Sequence, residues 1–305
     1  MSYRSQSKQH ESISKGEFPT PFDDEEEIIN TKLYMYSYYE YLFNGKIGAP
    51  IHEKLRNGAK VLEFRCIDGI WSTEVAAENP NSEFYAIDSI VPKFNVELNN
   101  ITFIGCDISK KLPFPDNEFD YIFSDDKFLL MEKKTFQEVL LEIFRILKPG
   151  GWLEVRYTCS PNIAYKSSYK QLNCAWLSWL KTQNIDYDTV ENFENYLQET
   201  EKTESILYRI EETKIGNGHT SGEFLLQIVL LFYKNSRDLL TSFMNISFKE
   251  FDGLLKNLES ELNVKDSKIT LIHKQVLARK KSARSEISRT ISRPYPFAVG
   301  YGTES

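Results

Sequence analysis

VLEFRCIDGIWSTEVAAENPNSEFYAID, residues 61–88, decides the fold. Its first residues, with Lys60, read as a short buried strand ending at Phe64, and residues 71–78 have helical character until Asn79-Pro80 stops them. Residues 83–88 form a second strand. A strand, a tight loop, a helix and a second strand within about thirty residues is the unit that builds parallel sheets. In such sheets ligands sit beyond the carboxyl ends of the strands, so Arg65 to Trp71 and Asp88 are the first candidate positions. Asp88 at a strand end can accept hydrogen bonds from both hydroxyls of a ribose, and it can equally cap the next helix.

The same alternation continues outward. Strands are expected at 101–106, 119–124 and 152–157, with a helix at 136–147 ended by Lys148-Pro-Gly-Gly151. Beyond Cys159 the pattern gives helices at 168–182, 187–199, 221–243 and 247–262, a strand at 205–215, and a last strand at 269–278 that closes the sheet. Before the sheet, an acidic run at 23–27 suits a helix start. The helix to Phe43 carries Leu33, Tyr34, Tyr36, Tyr38, Tyr39, Tyr41 and Leu42, which either pack into the core or roof a ligand pocket. Residues 1–23 read as a disordered arm and 280–305 as a disordered basic tail, a solvated end or a segment for nuclear import or anionic partners.

Composition narrows the function classes. A hydrophobic fraction of 41% supports a real core, and a formal charge of −7 argues against a general nucleic-acid binder. Cys66, Cys106, Cys159 and Cys174 lack metal-ligand spacing, as do His10, His52, His219 and His273, which read as surface or packing residues. No apolar run reaches the roughly 20 residues of a membrane span, and the first residues lack a signal-peptide pattern, so a cytoplasmic or nuclear location is expected. No nucleophile elbow, phosphate loop or metalloprotease motif occurs, nor the glycine fingerprint of an NAD enzyme. Asp125-Asp126, after the fourth strand, either orients a substrate or caps a helix.

Residues 61–88, LPFPDNEFDYIFS at 112–124 and LLEIFRILKPGGWLEV at 140–155 together resemble class I S-adenosylmethionine (SAM) methyltransferases. The aromatic first helix, NCAWLSWL at 173–180 and FMNIS at 243–247 look like a fungal-type subgroup. The resemblance implies an α/β fold: a Rossmann-like, doubly wound, mostly parallel seven-stranded sheet. It divides 24–279 into a helical cap (24–58), a SAM-binding core (59–160) and helical additions with closing strands (161–279). It implies SAM as cofactor and a small-molecule or protein acceptor. Glu63 would organise the loop and the methionine end, and Arg65, Cys66 and Gly69 would form the loop. Asp88 and Ser89 would hold the ribose, Asp107 and Ile108 the adenine, and Ser124 the floor near the sulfonium.

The departure is at positions 65 and 67, where the family usually has glycine and this chain has Arg65 and Ile67. A side chain there must strain the loop or change its shape, at a cost on the order of 1–3 kcal/mol. The alternative expectation is a weak or inactive pseudoenzyme that serves as a binding or regulatory module.

Overall fold

The computed structural model describes residues 25–66, 68–89, 98–159, 167–185, 187–216, 218–263 and 269–282. The proposed arm, most of the basic tail, and Ile67 lie outside these residues.

Seven strands form one sheet. They are β1 (Lys60–Phe64), β2 (Glu83–Asp88), β3 (Ile101–Gly105), β4 (Phe119–Ser124), β5 (Leu147–Cys159), β6 (Thr203–Lys214) and β7 (Thr270–Lys280). Their order is β3-β2-β1-β4-β5-β7-β6. The first five are parallel, whereas β7 runs antiparallel to both β5 and β6. This is the doubly wound, mostly parallel sheet expected from the sequence. The last strand, β7, lies between β5 and β6, pairing through eight residues with β5 and eleven with β6.

Ten helices surround the sheet: α1 (Glu25–Phe43), α2 (His52–Asn57), α3 (Ile70–Glu78), α4 (Lys133–Ile146), α5 (Ser168–Thr182), α6 (Asp188–Glu191), α7 (Phe193–Glu199), α8 (Thr220–Asn235), α9 (Arg237–Met244) and α10 (Phe248–Leu262) among the described residues. α4 turns Phe136, Val139, Leu140, Ile143 and Phe144 onto a core that includes Leu62, Ile122 and Leu153. The opposite face, carrying Val61, Tyr121 and Phe123, packs against Trp71, Val75 and Ala76 of α3. The inner strands are buried on both faces, which is why β1 and β4 do not alternate and are mostly apolar, with Glu63 and Asp120 as their buried charged residues.

α1 buries Tyr38, Tyr39 and Phe43 with α5, α8 and α10, while Tyr41 faces solvent. Its aromatic content therefore serves core packing. Two expected helices are each divided. Residues 187–199 break at Asn192, and residues 221–243 break at Ser236, whose hydroxyl donates to the Phe232 carbonyl while its own carbonyl starts the next helix. The short α2 escaped the sequence pattern because only Leu55 within it is buried.

Candidate functional site

The chain leaves β1 toward β2 and β3 on one side, then returns to β4 on the other. The crevice between the carboxyl ends of β1 and β4 is therefore the switch point of the sheet. The Ser124 hydroxyl donates to the Phe64 carbonyl across it at 2.7 Å, fastening the two strand ends together. Ser124 thus lies buried at the end of β4 with its hydroxyl proton engaged.

In the loop after Phe64, Arg65 takes φ = 61°, the left-handed region a glycine would occupy, and the residue is 3% exposed. A left-handed L-residue costs about 1–2 kcal/mol, an amount the packing of a buried arginine stem offsets. The Cys66 amide donates to the Ile87 carbonyl at 3.0 Å, so the loop continues the β1–β2 ladder. Cys66 is fully buried, backbone and side chain alike.

Asp68 turns the chain into α3 by accepting from the Ile70 amide at 3.0 Å. Gly69 follows at φ = 64° as the residue before the helix. A Cβ here would lie 2.3 Å from the Phe103 ring of β3. The space on its Cβ side therefore holds an aromatic ring. Glu63 is 4% exposed and accepts from both the Ser72 amide (3.2 Å) and hydroxyl (2.7 Å). It sits at the positive end of α3 and holds that helix against β1, the geometry a loop organiser needs.

At the neighbouring strand ends, Asp88 pairs in register with Gly105, and its Oδ1 accepts from the Ser89 amide at 2.7 Å. Asp107 lies two residues past Gly105; its Oδ1 accepts from the Ser109 amide and hydroxyl, and its Oδ2 meets Lys110 Nζ at 2.7 Å. Hydrogen bonds from Lys110 and then Ser109 hold the Asp107 carboxyl below its ordinary range. Cys106 lies between the two acids; burial, then the charges of Asp88 and Asp107, push its thiol up. Two carboxylates thus converge where β2 and β3 end. Ile108 does not join them: it is 1% exposed and belongs to the core with Leu112 and Phe119. Its expected place on an adenine face is corrected accordingly.

Several contributors carried no sequence signal that we used. Trp71, at the start of α3, stacks on Phe123 with ring centroids 4.2 Å apart and donates Nε1 to the Lys46 carbonyl. On β5, Glu154 accepts from the amides of Gly48 and Ala49, the Tyr121 hydroxyl, Arg156 and Gln275. Arg156 in turn donates to the Gly45 carbonyl. The segment between α1 and α2 is therefore anchored to the site from both sides. A charge at every second position of a strand buried on both faces, Glu154 and Arg156, was the signal that could have revealed this pair.

His273, expected as a surface or packing residue, is fully buried. Its Nδ1 lies 2.8 Å from Thr158 Oγ1 and its Nε2 3.3 Å from the Tyr38 hydroxyl. Tyr38 also donates to Thr213, and Tyr39 shares a 2.7 Å bond with Thr158. This chain of polar groups stitches α1 to the antiparallel half of the sheet. His52 and His219 are exposed, and His10 lies outside the described residues. Asp125 is partly exposed, and the side chain of Asp126 lies outside the described residues. Among the described residues no cluster of three or more metal-ligating side chains occurs, and no helix is long and apolar enough to cross a membrane.

Residues 61–151 match a family model described as a methyltransferase domain, a span that contains Glu63, Asp88, Asp107 and Ser124. A demethylmenaquinone methyltransferase of Listeria welshimeri serovar 6b is 33% identical over 119 residues, covering 36% of this chain and 49% of that protein. The Anoxybacillus flavithermus protein of the same name is 27% identical over 135 residues, covering 41% and 54%. The chain spans about half the length of the curated relatives it matches. Among solved structures, Haemonchus contortus phosphoethanolamine N-methyltransferase 2, in complex with phosphomonomethylethanolamine and S-adenosylhomocysteine, overlaps with a TM-score of 0.46. It is 18% identical, over 81% of this chain and 57% of that one. Residues 61–151, which carry Glu63, Asp88, Asp107 and Ser124, are therefore methyltransferase-like in sequence.

Proposed function

We propose that the chain is a SAM-dependent methyltransferase acting on a small molecule or a protein group. The observation that carries this reading is the pair of carboxylates, Asp88 and Asp107, at the ends of β2 and β3 beside a loop whose backbone keeps the left-handed turn of a glycine loop. The residues present fit the cofactor. Asp88 would hold the ribose hydroxyls, and Asp107 would take the adenine amino group. Lys110, its partner, is 75% exposed and screened by water, so releasing it costs little.

Bound SAM would supply an activated methyl group on a sulfonium. The protein's share is then alignment and exclusion of water rather than acid–base chemistry. Glu63 fixes the start of α3, the Ser124–Phe64 bond fixes the floor, and Trp71 on Phe123 closes one wall. The acceptor, the fungal-type subgroup and the cytoplasmic or nuclear location belong to the same proposal. The subgroup reading is supported by α1 and the segments at 173–180 and 243–247, while the relatives named above are bacterial.

Isothermal calorimetry with SAM and S-adenosylhomocysteine tests the reading. Saturable binding of both is expected, and absence of heat at millimolar ligand would refute it. A second reading, the pseudoenzyme, is favoured by the burial of the Arg65 side chain in the loop itself. It predicts that Arg65→Gly binds SAM where the unaltered chain does not.

A further inference from the structure

β6 is the terminal strand of the sheet and, among the described residues, pairs only with β7. Its outer row of backbone donors and acceptors is therefore open to another strand. Four consecutive residues, 207–210, are exposed, and three are large and apolar: Leu207 (50%), Tyr208 (65%) and Ile210 (47%). Proteins usually guard such edges with lysine, proline or a bulge. Between Ser205 and Thr213 there is no lysine and no proline, and the register shift against β7 lies earlier, at Thr203/Ser205.

We propose that β6 is the association surface of a two-fold dimer, in which the β6 strands of two copies pair antiparallel. Charge selects both the occupant and the register. An isologous antiparallel pair is centred on one residue, which faces its own copy. Centring on Tyr208 sets Glu204 against Glu212 and Lys202 against Lys214, and centring on Arg209 or Glu211 sets like charges face to face. Centring on Leu207 sets Arg209 against Ser205 and Ile210 against Glu204, giving the arginine no acid. Centring on Ile210 sets Arg209 against Glu211 twice, with Tyr208 opposite Glu212.

That register extends a contact the single chain already makes. Arg209 Nε donates to Glu211 Oε1 at 2.8 Å along one face of β6, while its Nη1 and Nη2 donate to the Phe43 and Leu42 carbonyls of α1. Pairing two copies turns this into an alternating quartet of two arginines and two glutamates. On the other face, both Ile210 side chains meet at the axis with Tyr208 on the diagonals, an arrangement of apolar cross-strand neighbours that stabilises antiparallel pairs. A second copy supplies both complementary faces at once.

Sedimentation equilibrium of the full chain over a range of concentrations tests this. The mass should approach twice the 35.6 kDa of one chain. Ile210→Lys and Glu211→Arg should each return it to a single chain, with circular dichroism showing an intact fold. Combining Glu211→Arg with Arg209→Glu should restore the doubled mass, which a merely destabilised edge would not do. A full chain that stays at 35.6 kDa throughout, whatever else covers the edge, overturns the proposal. So does a dimer that survives Ile210→Lys.

Discussion

Glu154→Gln is the most informative single substitution in this molecule. Glu154 is fully buried and Arg156 is 1% exposed, with Arg156 Nε and Nη2 each 2.8 Å from the same carboxylate oxygen. Oε1 also accepts from Gln275, and Oε2 accepts from the Gly48 and Ala49 amides and the Tyr121 hydroxyl. A glutamine must place its amide nitrogen on one side or the other. It then confronts donors with a donor and leaves the guanidinium without its counter-charge. Breaking a buried pair by removing one partner costs about 3–5 kcal/mol, because an uncompensated charge stays in a poorly polarisable interior. Urea denaturation should therefore show an unfolding free energy lowered by that amount, seen as a lower midpoint at an unchanged slope. Arg156→Met should also destabilise. The double variant Glu154→Leu with Arg156→Met should cost less than the two single losses together, since no charge remains buried. If Glu154→Gln costs under about 1 kcal/mol, or if the double variant is additive, the pair is not the anchor described here.

Three further outcomes are expected. Gly69→Ala should cost about 2–4 kcal/mol in urea, from strain at φ = 64° and overlap with Phe103, and Phe103→Ala should recover only the overlap part; a loss below about 0.5 kcal/mol would show that the ring gives way freely. His273 is held neutral by burial, its pKa pushed down to about 4 from an ordinary value near 6.5. Its contribution is therefore complete above pH 6.5 and is lost as pH falls toward 4, by about 1.4 kcal/mol per pH unit. Melting of the unaltered chain should fall over that window more steeply than melting of His273→Gln, and parallel curves would refute the assignment. Asp88→Ala should weaken SAM binding by roughly tenfold or more, the loss expected for charge-assisted hydrogen bonds, without altering the far-ultraviolet circular dichroism; unchanged affinity would remove Asp88 from the ribose site.

Local pattern made the parallel half of this fold legible. β1, β2 and β4 begin and end where the sequence places them, because their middles are mostly apolar and the residues that follow them, Arg65, Ser89 and Asp125, are polar. What sequence could not show depends on long-range choices. The partner of Glu63 is a serine nine residues on, and that of Asp107 is a lysine that any exposed position could supply. Ile108 beside Asp107 suggested a ligand face, yet its direction is set by the core beneath it. Glu154 and Arg156 lie in a strand whose apolar neighbours dominate its pattern, and a segment more than a hundred residues earlier supplies amide donors to Glu154 and a carbonyl acceptor to Arg156. The place of β7 likewise depends on β6, which precedes it by a three-helix excursion.

That placement has a consequence for how the chain comes off the ribosome. β6 is complete at Lys214, yet the strand that joins it to β5 begins only at Thr270. While α8, α9 and α10 are being made, β6 has no sheet to dock on, and both of its edges are open. Loop closure of this range is slow compared with helix formation. A partly synthesised chain therefore displays its most adhesive strand during the interval before the last one can arrive. The final strand acts as a chaperone in sequence order: its arrival converts β6 from a strand with two free edges into one with a single free edge.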